Sequence, residues 1–239
     1  MILALDIGNR RLKWGCWEGA GFAAAGAFDW RGVDSLDGLP SETPARIVAC
    51  NVAGPEIAQR VQNFCALRWD LVPAYLKTRR SCGAVTCAYD DPGELGADRW
   101  AALLGVHALY GSDVCVIDCG TAVTMDVITA AGKHLGGAIT PGLAAMRGAL
   151  DRNTHQLTDA HALPELLARN TRSGIQGGTL WGLAGAIDRL IDEAGRLSGL
   201  RPSCVITGGD AETLRELLVH ATELQPYLVL RGVLVGLQE

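Results

Sequence analysis

Two short stretches place a carboxylate, a glycine and a small polar side chain within four residues: Asp118-Cys119-Gly120-Thr121 and Asp6-Ile7-Gly8-Asn9. Where a chain reverses at such a point, backbone N–H groups and the acid are pushed out of the sheet and can hold a phosphate or a cation. A single turn of this kind is equally explained by a hairpin whose Asp and Thr cap their own backbone. Here there are two, and a third glycine turn, Thr207-Gly208-Gly209-Asp210, stands between a strand-like run and a helix-like one. Backbone N–H groups and the helix dipole favour an anion at such a junction. Paired carboxylates and backbone donors of this sort suit a nucleotide triphosphate with its cations.

These turns require strands to carry them. Apolar runs lead into Asp6 and into Asp118, and a second run follows each glycine almost at once, which predicts strand, tight turn and returning strand at both places. The copies lie further apart than any solenoid repeat, so they indicate a duplicated domain, with the two turns converging on one cleft if the halves face each other. Along the first half, residues 22–28 read as a third strand, 31–42 as a polar surface connection and 45–52 as a buried strand. Residues 55–67 fit a helix opened by proline, and 71–73 a short strand. Residues 89–96 are loop by composition, and 97–110 a helix with Asp98 and Arg99 in its first turn, where the macrodipole alone would favour the acid. The second half repeats the opening with strands at 113–118, 121–129 and 133–139, then a helix over 143–150. Residues 153–165 read as irregular, 173–197 as a long helix, 203–207 as a strand and 211–220 as a helix. Alternating strands and helices point to mixed α/β sheets.

Composition narrows the function. A chain of 239 residues, 49% hydrophobic and 20% charged, is that of a globular enzyme. Its net charge of −5 and scattered basic residues give no electrostatic footprint for nucleic acid. No secretory signal opens it and no apolar run reaches membrane-spanning length, so a cytoplasmic protein with no membrane partner is expected. The eight cysteines read as reduced thiols. They lack zinc-ligand spacing, and no zinc is expected. The histidines, His107 and His134 among them, have no second ligand at metal spacing and read as packed or solvated. Lys77, Arg79 and Arg80 read as a solvated basic loop.

Taken in order, Asp6-Ile7-Gly8-Asn9, Gly96-Ala97-Asp98-Arg99, Asp118-Cys119-Gly120-Thr121, Gly136-Gly137 with Pro141-Gly142, Asn170-Thr171 and Thr207-Gly208-Gly209-Asp210 resemble the motif series of bacterial type III pantothenate kinases. These are members of the acetate and sugar kinase, heat-shock ATPase and actin superfamily. The resemblance runs through essentially the whole chain. It implies two similar ribonuclease H-like α/β domains in an actin-like ATPase fold, here residues 1–110 and 111–239, with the active site in the cleft between them. It also implies ATP-dependent phosphorylation of pantothenate, the first step toward coenzyme A, with Mg2+, a monovalent cation (K+ or NH4+) and a homodimer.

Carried onto this sequence, the resemblance makes Asp6, Ile7, Gly8, Asn9, Arg10, Arg11, Leu12 and Lys13 the first phosphate turn, and has Thr121, Gly208 and Gly209 meet ATP. Asp118 would bind the monovalent cation. Tyr89, Gly96, Ala97, Asp98, Arg99 and Thr171 would hold pantothenate, with Asp98 the proton acceptor. The chemistry agrees: phosphoryl transfer needs an in-line hydroxyl, a group to take its proton and cations on the phosphates. An aspartate followed by an arginine can serve both ends of a small hydroxy acid. One position departs from the pattern, since Arg10 stands where Ser or Thr is usual. A long cation there could contact the γ-phosphate, point to solvent or obstruct the nucleotide. A non-catalytic accessory protein of the same fold, or a kinase for another small hydroxy acid, are the alternatives. Asp6, Asp98, Arg99 and Asp118 together argue against the accessory reading, because a scaffold needs none of them.

Overall fold

The computed structural model describes residues 1–29, 36–153 and 164–237. Alternation sets its first strand. Ile2–Ile7 (β1) sends Leu3, Leu5 and Ile7 to one face and Ala4 and Asp6 to the other, and all five are buried. Arg11–Trp17 (β2) and Phe22–Asp29 (β3) follow as antiparallel neighbours, and Arg46–Asn51 (β4) lies parallel to β1. After the helix Pro55–Trp69 (α1), Ala74–Tyr75 (β5) pairs parallel with β4. The two-residue strands Ser81–Cys82 (β6) and Val85–Thr86 (β7) form a small separate hairpin, and Ala97–Tyr110 (α2) follows.

The plan is then rebuilt. Val114–Cys119 (β8), Ala122–Ile128 (β9) and His134–Pro141 (β10) are followed by Leu143–Asn153 (α3) and Thr171–Ser198 (α4). Ser203–Thr207 (β11), Ala211–Arg215 (α5), Thr222–Leu224 (β12) and Leu228–Gly236 (α6) end the chain. The first sheet runs β3-β2-β1-β4-β5 and the second β10-β9-β8-β11-β12. Strand for strand the order repeats, with β8 antiparallel to β9 and parallel to β11, as β1 is to β2 and β4. The duplication expected from two turns is a duplication of whole-sheet topology.

The chain forms two compact units. The first takes Met1–Gly111, Ala130–His134 and the residues from Tyr227 on; the second takes Ser112–Thr129 and Leu135–Pro226. In the first unit, Leu3, Leu5 and Ile7 pack with Val61, Cys65 and Trp69 of α1. The last helix joins this unit because it is apolar nearly all round and must be buried. It docks on α2 so closely that a Cβ at Gly232 would overlap the Ala101 carbonyl. In the second unit, Cys115, Ile117 and Cys119 pack against Leu183, Ala184, Ile187 and Ile191 on one stripe of α4. Leu197, near the end of that helix, is exposed.

Four local expectations need correcting. The short strand is at Ala74–Tyr75, one step past 71–73: Pro73 lacks the N–H a ladder needs, and it is Leu76 N–H that reaches the Ala49 carbonyl. The helix expected to reach His220 is only Ala211–Arg215, because the Asp188 carboxylate from α4 captures the N–H groups of Val219 and His220. In the stretch expected as a polar connection, Leu36 and Leu39 are buried in the first unit's core, while 30–35 lie outside the described residues. Arg80 is engaged with the backbone of the loop that follows it. Of the segment expected to be irregular, 154–163 lie outside the described residues. Among the described residues no helix is long and apolar enough to cross a membrane.

Candidate active site

In the first unit the β1–β2 turn closes with Gly8 N–H donating to the Arg11 carbonyl at 3.1 Å. Ladder register puts Asp6 opposite Lys13 on one side and Cys50 on the other. Lys13 Nζ lies 3.2 Å from Asp6 Oδ2, and the Cys50 thiol donates to Asp6 Oδ1 at 3.5 Å. Burial first, then the charges of Asp6 and Asp98, hold the Cys50 thiol well above the ordinary thiol range, so it stays protonated and remains a donor. That dependence places Asp6 and Asp98 in one electrostatic neighbourhood. Ile7 and Leu12 are core residues and can offer a nucleotide only backbone, while Asn9, Arg10 and Arg11 are exposed. Arg10 Nε pairs with Asp29 Oδ2 at 3.2 Å across the start of the β2–β3 ladder, both side chains 45% exposed.

Asp98 and Arg99 sit where α2 begins, after the cap residue Gly96. Asp98 Oδ1 accepts from Arg99 N–H at 2.8 Å, so the acid does serve the helix start. Its carboxylate leans back over Gly96, where a Cβ would come within 2.6 Å of Oδ1. Only Arg99 of this group is fully buried, at 5% exposure. Its Nη1 donates to the Tyr89 hydroxyl at 2.9 Å and its guanidinium lies 5.5 Å from the centre of the Tyr89 ring. Because that hydroxyl accepts from Arg99, its own proton is available to donate elsewhere.

In the second unit Asp118 holds the place of Asp6. The turn is tighter, with Gly120 N–H donating to the Ala122 carbonyl, and Thr121 is exposed at its tip. Gly142 N–H donates to the Thr121 carbonyl at 3.0 Å, so the Pro141-Gly142 pair packs on this turn. Thr207 lies beside Asp118 in the parallel ladder, and Asp210 N–H donates to the Cys119 carbonyl. Gly208 has φ +102°, and a Cβ there would meet Asp118 Oδ1 at 2.5 Å. The glycine turn therefore lies directly against the acid, with Gly209 next to it. Burial, then the charges of Asp118 and Asp210, push the Cys119 thiol up. Arg147 on α3, half-buried and bonded to Thr179 Oγ1 at 3.1 Å, has its pKa lowered by burial and partly restored by the charge of Asp210. Thr171 is exposed on the first turn of α4, behind the cap Asn170, whose Oδ1 accepts from Ser173 N–H.

The profile of the type III pantothenate kinase family matches residues 2–193. The chain belongs to that family. It is 39% identical to the type III pantothenate kinase of Nitrosococcus oceani, over 98% of this chain and 92% of that one. Among solved structures it is similar to a Baf family protein from Campylobacter jejuni, with TM-score 0.63 and 20% identity, covering 97% of this chain and 96% of that chain. It is also similar to the activator of 2-hydroxyisocaproyl-CoA dehydratase from Clostridium difficile, solved with bound ADPNP, with TM-score 0.54 and 12% identity over 98% of this chain and 92% of that one. These two likenesses concern the fold, the duplicated actin-like ATPase fold whose repeated sheet order is described above.

Within the family frame, the sequence reading missed Cys50, whose contact with Asp6 spans 44 residues and depends on parallel register. Its signal was available in the strand-like run ending Cys50-Asn51, had that run been aligned with β1. Hard cations prefer oxygen ligands, and Mg2+ is typically held by one or two carboxylates plus substrate phosphates and waters. The Asp118 carboxylate, cradled by the side-chain-free Gly208 and with Thr207 beside it in the ladder, fits such an ion, and so does the buried Asp6 carboxylate.

Proposed function

We propose that this chain transfers the γ-phosphoryl group of ATP to the hydroxyl of pantothenate, giving 4'-phosphopantothenate and ADP. The observation that carries the reading is the convergence in the first unit of the Asp6–Lys13 pair, Asp98 and the buried Arg99–Tyr89 pair. The pantothenate hydroxyl attacks phosphorus as the bond to the β–γ bridging oxygen breaks, and its proton passes to the Asp98 carboxylate. Arg99 pairs with the pantothenate carboxylate, Tyr89 donates a hydrogen bond from its hydroxyl to the substrate, and Gly96 and Ala97 line the same helix start; Thr171, in the second unit, is a further candidate contact for pantothenate. In the first unit Lys13 and the N–H groups of the Asp6 to Lys13 turn are the phosphate donors; in the second, Thr121, Gly208 and Gly209 are the candidate ATP contacts. Asp118 and Asp6 would hold K+ and Mg2+ respectively, which neutralise phosphate charge when bound.

The cation assignment has its own test. Turnover should require potassium or ammonium, and Asp118→Asn should weaken that requirement and raise KM for ATP together, each by about tenfold, the scale of one lost charge-assisted contact. Equal turnover of the unaltered protein in sodium-only and potassium buffers would count against it.

Arg10 belongs to the same proposal. An exposed pair such as Arg10–Asp29 is worth only about 0–1 kcal/mol, so the guanidinium can leave Asp29 for a phosphate at little cost. Arg10→Thr should therefore leave melting almost unchanged and raise KM for ATP severalfold. An unchanged KM would place Arg10 in solvent, and a lowered one would make it an obstruction.

A homodimer through α4 completes the proposal. Gly178, Trp181, Gly182 and Gly185 are exposed at helical spacing and present a flat strip to solvent. Sedimentation at the mass of a single chain would exclude it.

A further inference from the structure

Arg80, which reads in the sequence as a solvated charge, and His134, which reads as packed or solvated, both hold the loop that carries Tyr89. Arg80 Nη1 donates to the carbonyls of Tyr89 at 2.7 Å and Cys87 at 3.4 Å, and its Nη2 donates to that of Asp90. In return Cys87 N–H donates to the Arg80 carbonyl at 3.0 Å. The guanidinium fork thus binds three backbone carbonyls of one loop, which a single ammonium could not span together. His134 opens β10 and is 1% exposed. Its Nδ1 accepts from Ala88 N–H at 3.3 Å, and its ring lies nearly parallel to that of Tyr89, 16° between planes and 6.1 Å between centres. One residue fixes the backbone on both sides of Tyr89, and the other fixes the preceding amide and the ring itself. Arg99 lies against the same ring.

We infer that Arg80 and His134 are positioning residues for pantothenate: they hold Tyr89 in the pose in which its hydroxyl meets Arg99. The inference rests on the reading of Tyr89 and Arg99 as pantothenate contacts. Arg99 is buried, and a buried guanidinium keeps its direction only if its partners keep theirs. A loop tyrosine would ordinarily lose ring freedom on binding substrate. Here backbone and ring are ordered beforehand, which lowers the cost of binding. Neither residue need touch pantothenate for this, so its effect belongs in substrate affinity rather than in the proton transfer at Asp98.

The test is steady-state kinetics of four variants with melting curves alongside. Tyr89→Phe removes the hydroxyl. Arg80→Lys keeps the charge and removes the fork. His134→Phe keeps a ring and removes the acceptor, and His134→Asn keeps an acceptor and removes the ring. Expected is a rise in KM for pantothenate of roughly tenfold to a hundredfold in Arg80→Lys and His134→Phe, the range a small misplacement produces. His134→Asn should fall between these and the unaltered protein. In the Arg80 and His134 variants kcat and KM for ATP should stay within about twofold, because the catalytic carboxylate and phosphate turn are untouched. Unchanged pantothenate KM in Tyr89→Phe would remove the underlying reading of Tyr89. A raised KM in Tyr89→Phe with normal KM in Arg80→Lys and His134→Phe would overturn the inference while leaving that reading intact. So would lower melting with normal KM. Should His134→Phe not fold, Arg80→Lys, at an exposed side chain, decides the matter alone.

Discussion

Asp98→Asn should abolish pantothenate phosphorylation while ATP binds nearly as before. The amide is close to isosteric with the carboxylate and its oxygen can still accept from Arg99 N–H, the bond that Asp98 Oδ1 makes now at 2.8 Å. Folding therefore survives. What is lost is the negative charge that, under the proposed function, takes the hydroxyl proton, and general-base loss of this kind costs on the order of a hundredfold to ten-thousandfold in rate. If Asp98 served only the helix start, the variant would lose a few tenths to about 1 kcal/mol of stability and turn over normally per folded molecule. The capping bond is present, so stability alone cannot separate the two roles. Melting and pantothenate-dependent ADP release measured on the same preparation can. A normal turnover with a slightly lower melting point would remove Asp98 from the mechanism.

Gly208→Ala carries the second large effect, and it falls on the other unit. Gly208 adopts φ +102°, which an L side chain rarely tolerates, and the added Cβ would press on Asp118 and on the Cys119 backbone. A strained backbone position costs about 1–3 kcal/mol and overpacking a comparable amount. A loss of about 2–4 kcal/mol is expected, lowering the melting transition by roughly 5–15 °C at some 2–4 °C per kcal/mol. Because the same methyl group displaces Asp118, folded Gly208→Ala should also show a weakened potassium requirement and a raised KM for ATP. Gly209→Ala at the neighbouring position provides the comparison, since the strain argument applies to Gly208. Melting and potassium dependence both unchanged in Gly208→Ala would mean that the turn does not bear on Asp118 as described.

Much of this arrangement could be read from sequence because it is local. Asp6 and Asp118 end short apolar strands, and the glycine two residues on marks a reversal whichever fold surrounds it. The helix over Ala97–Tyr110 and the long α4 follow from periodicity and from the residues that cap them, and the expected bounds fall within a few residues of those found. What sequence did not disclose depends on partners far along the chain. The end of α5 is set by Asp188, which is 31 residues from Val219. Arg80 and His134 have nothing in their local sequence to separate them from solvent-facing charges, and only the return of residues 130–134 to the first unit brings His134 to Tyr89. Cys50 looked like one more buried apolar residue until parallel pairing put its thiol on Asp6. The position of β5 turned on a single missing N–H at Pro73.

The central claim, that the site in the first unit serves pantothenate as phosphoryl acceptor, is tested most directly by ADP release from the purified chain in potassium buffer with Mg-ATP, with and without pantothenate. The account predicts ADP formation that requires pantothenate and equals the phosphopantothenate formed. ADP release that is absent, or indifferent to pantothenate, in a protein that binds ATP and melts cooperatively would contradict it.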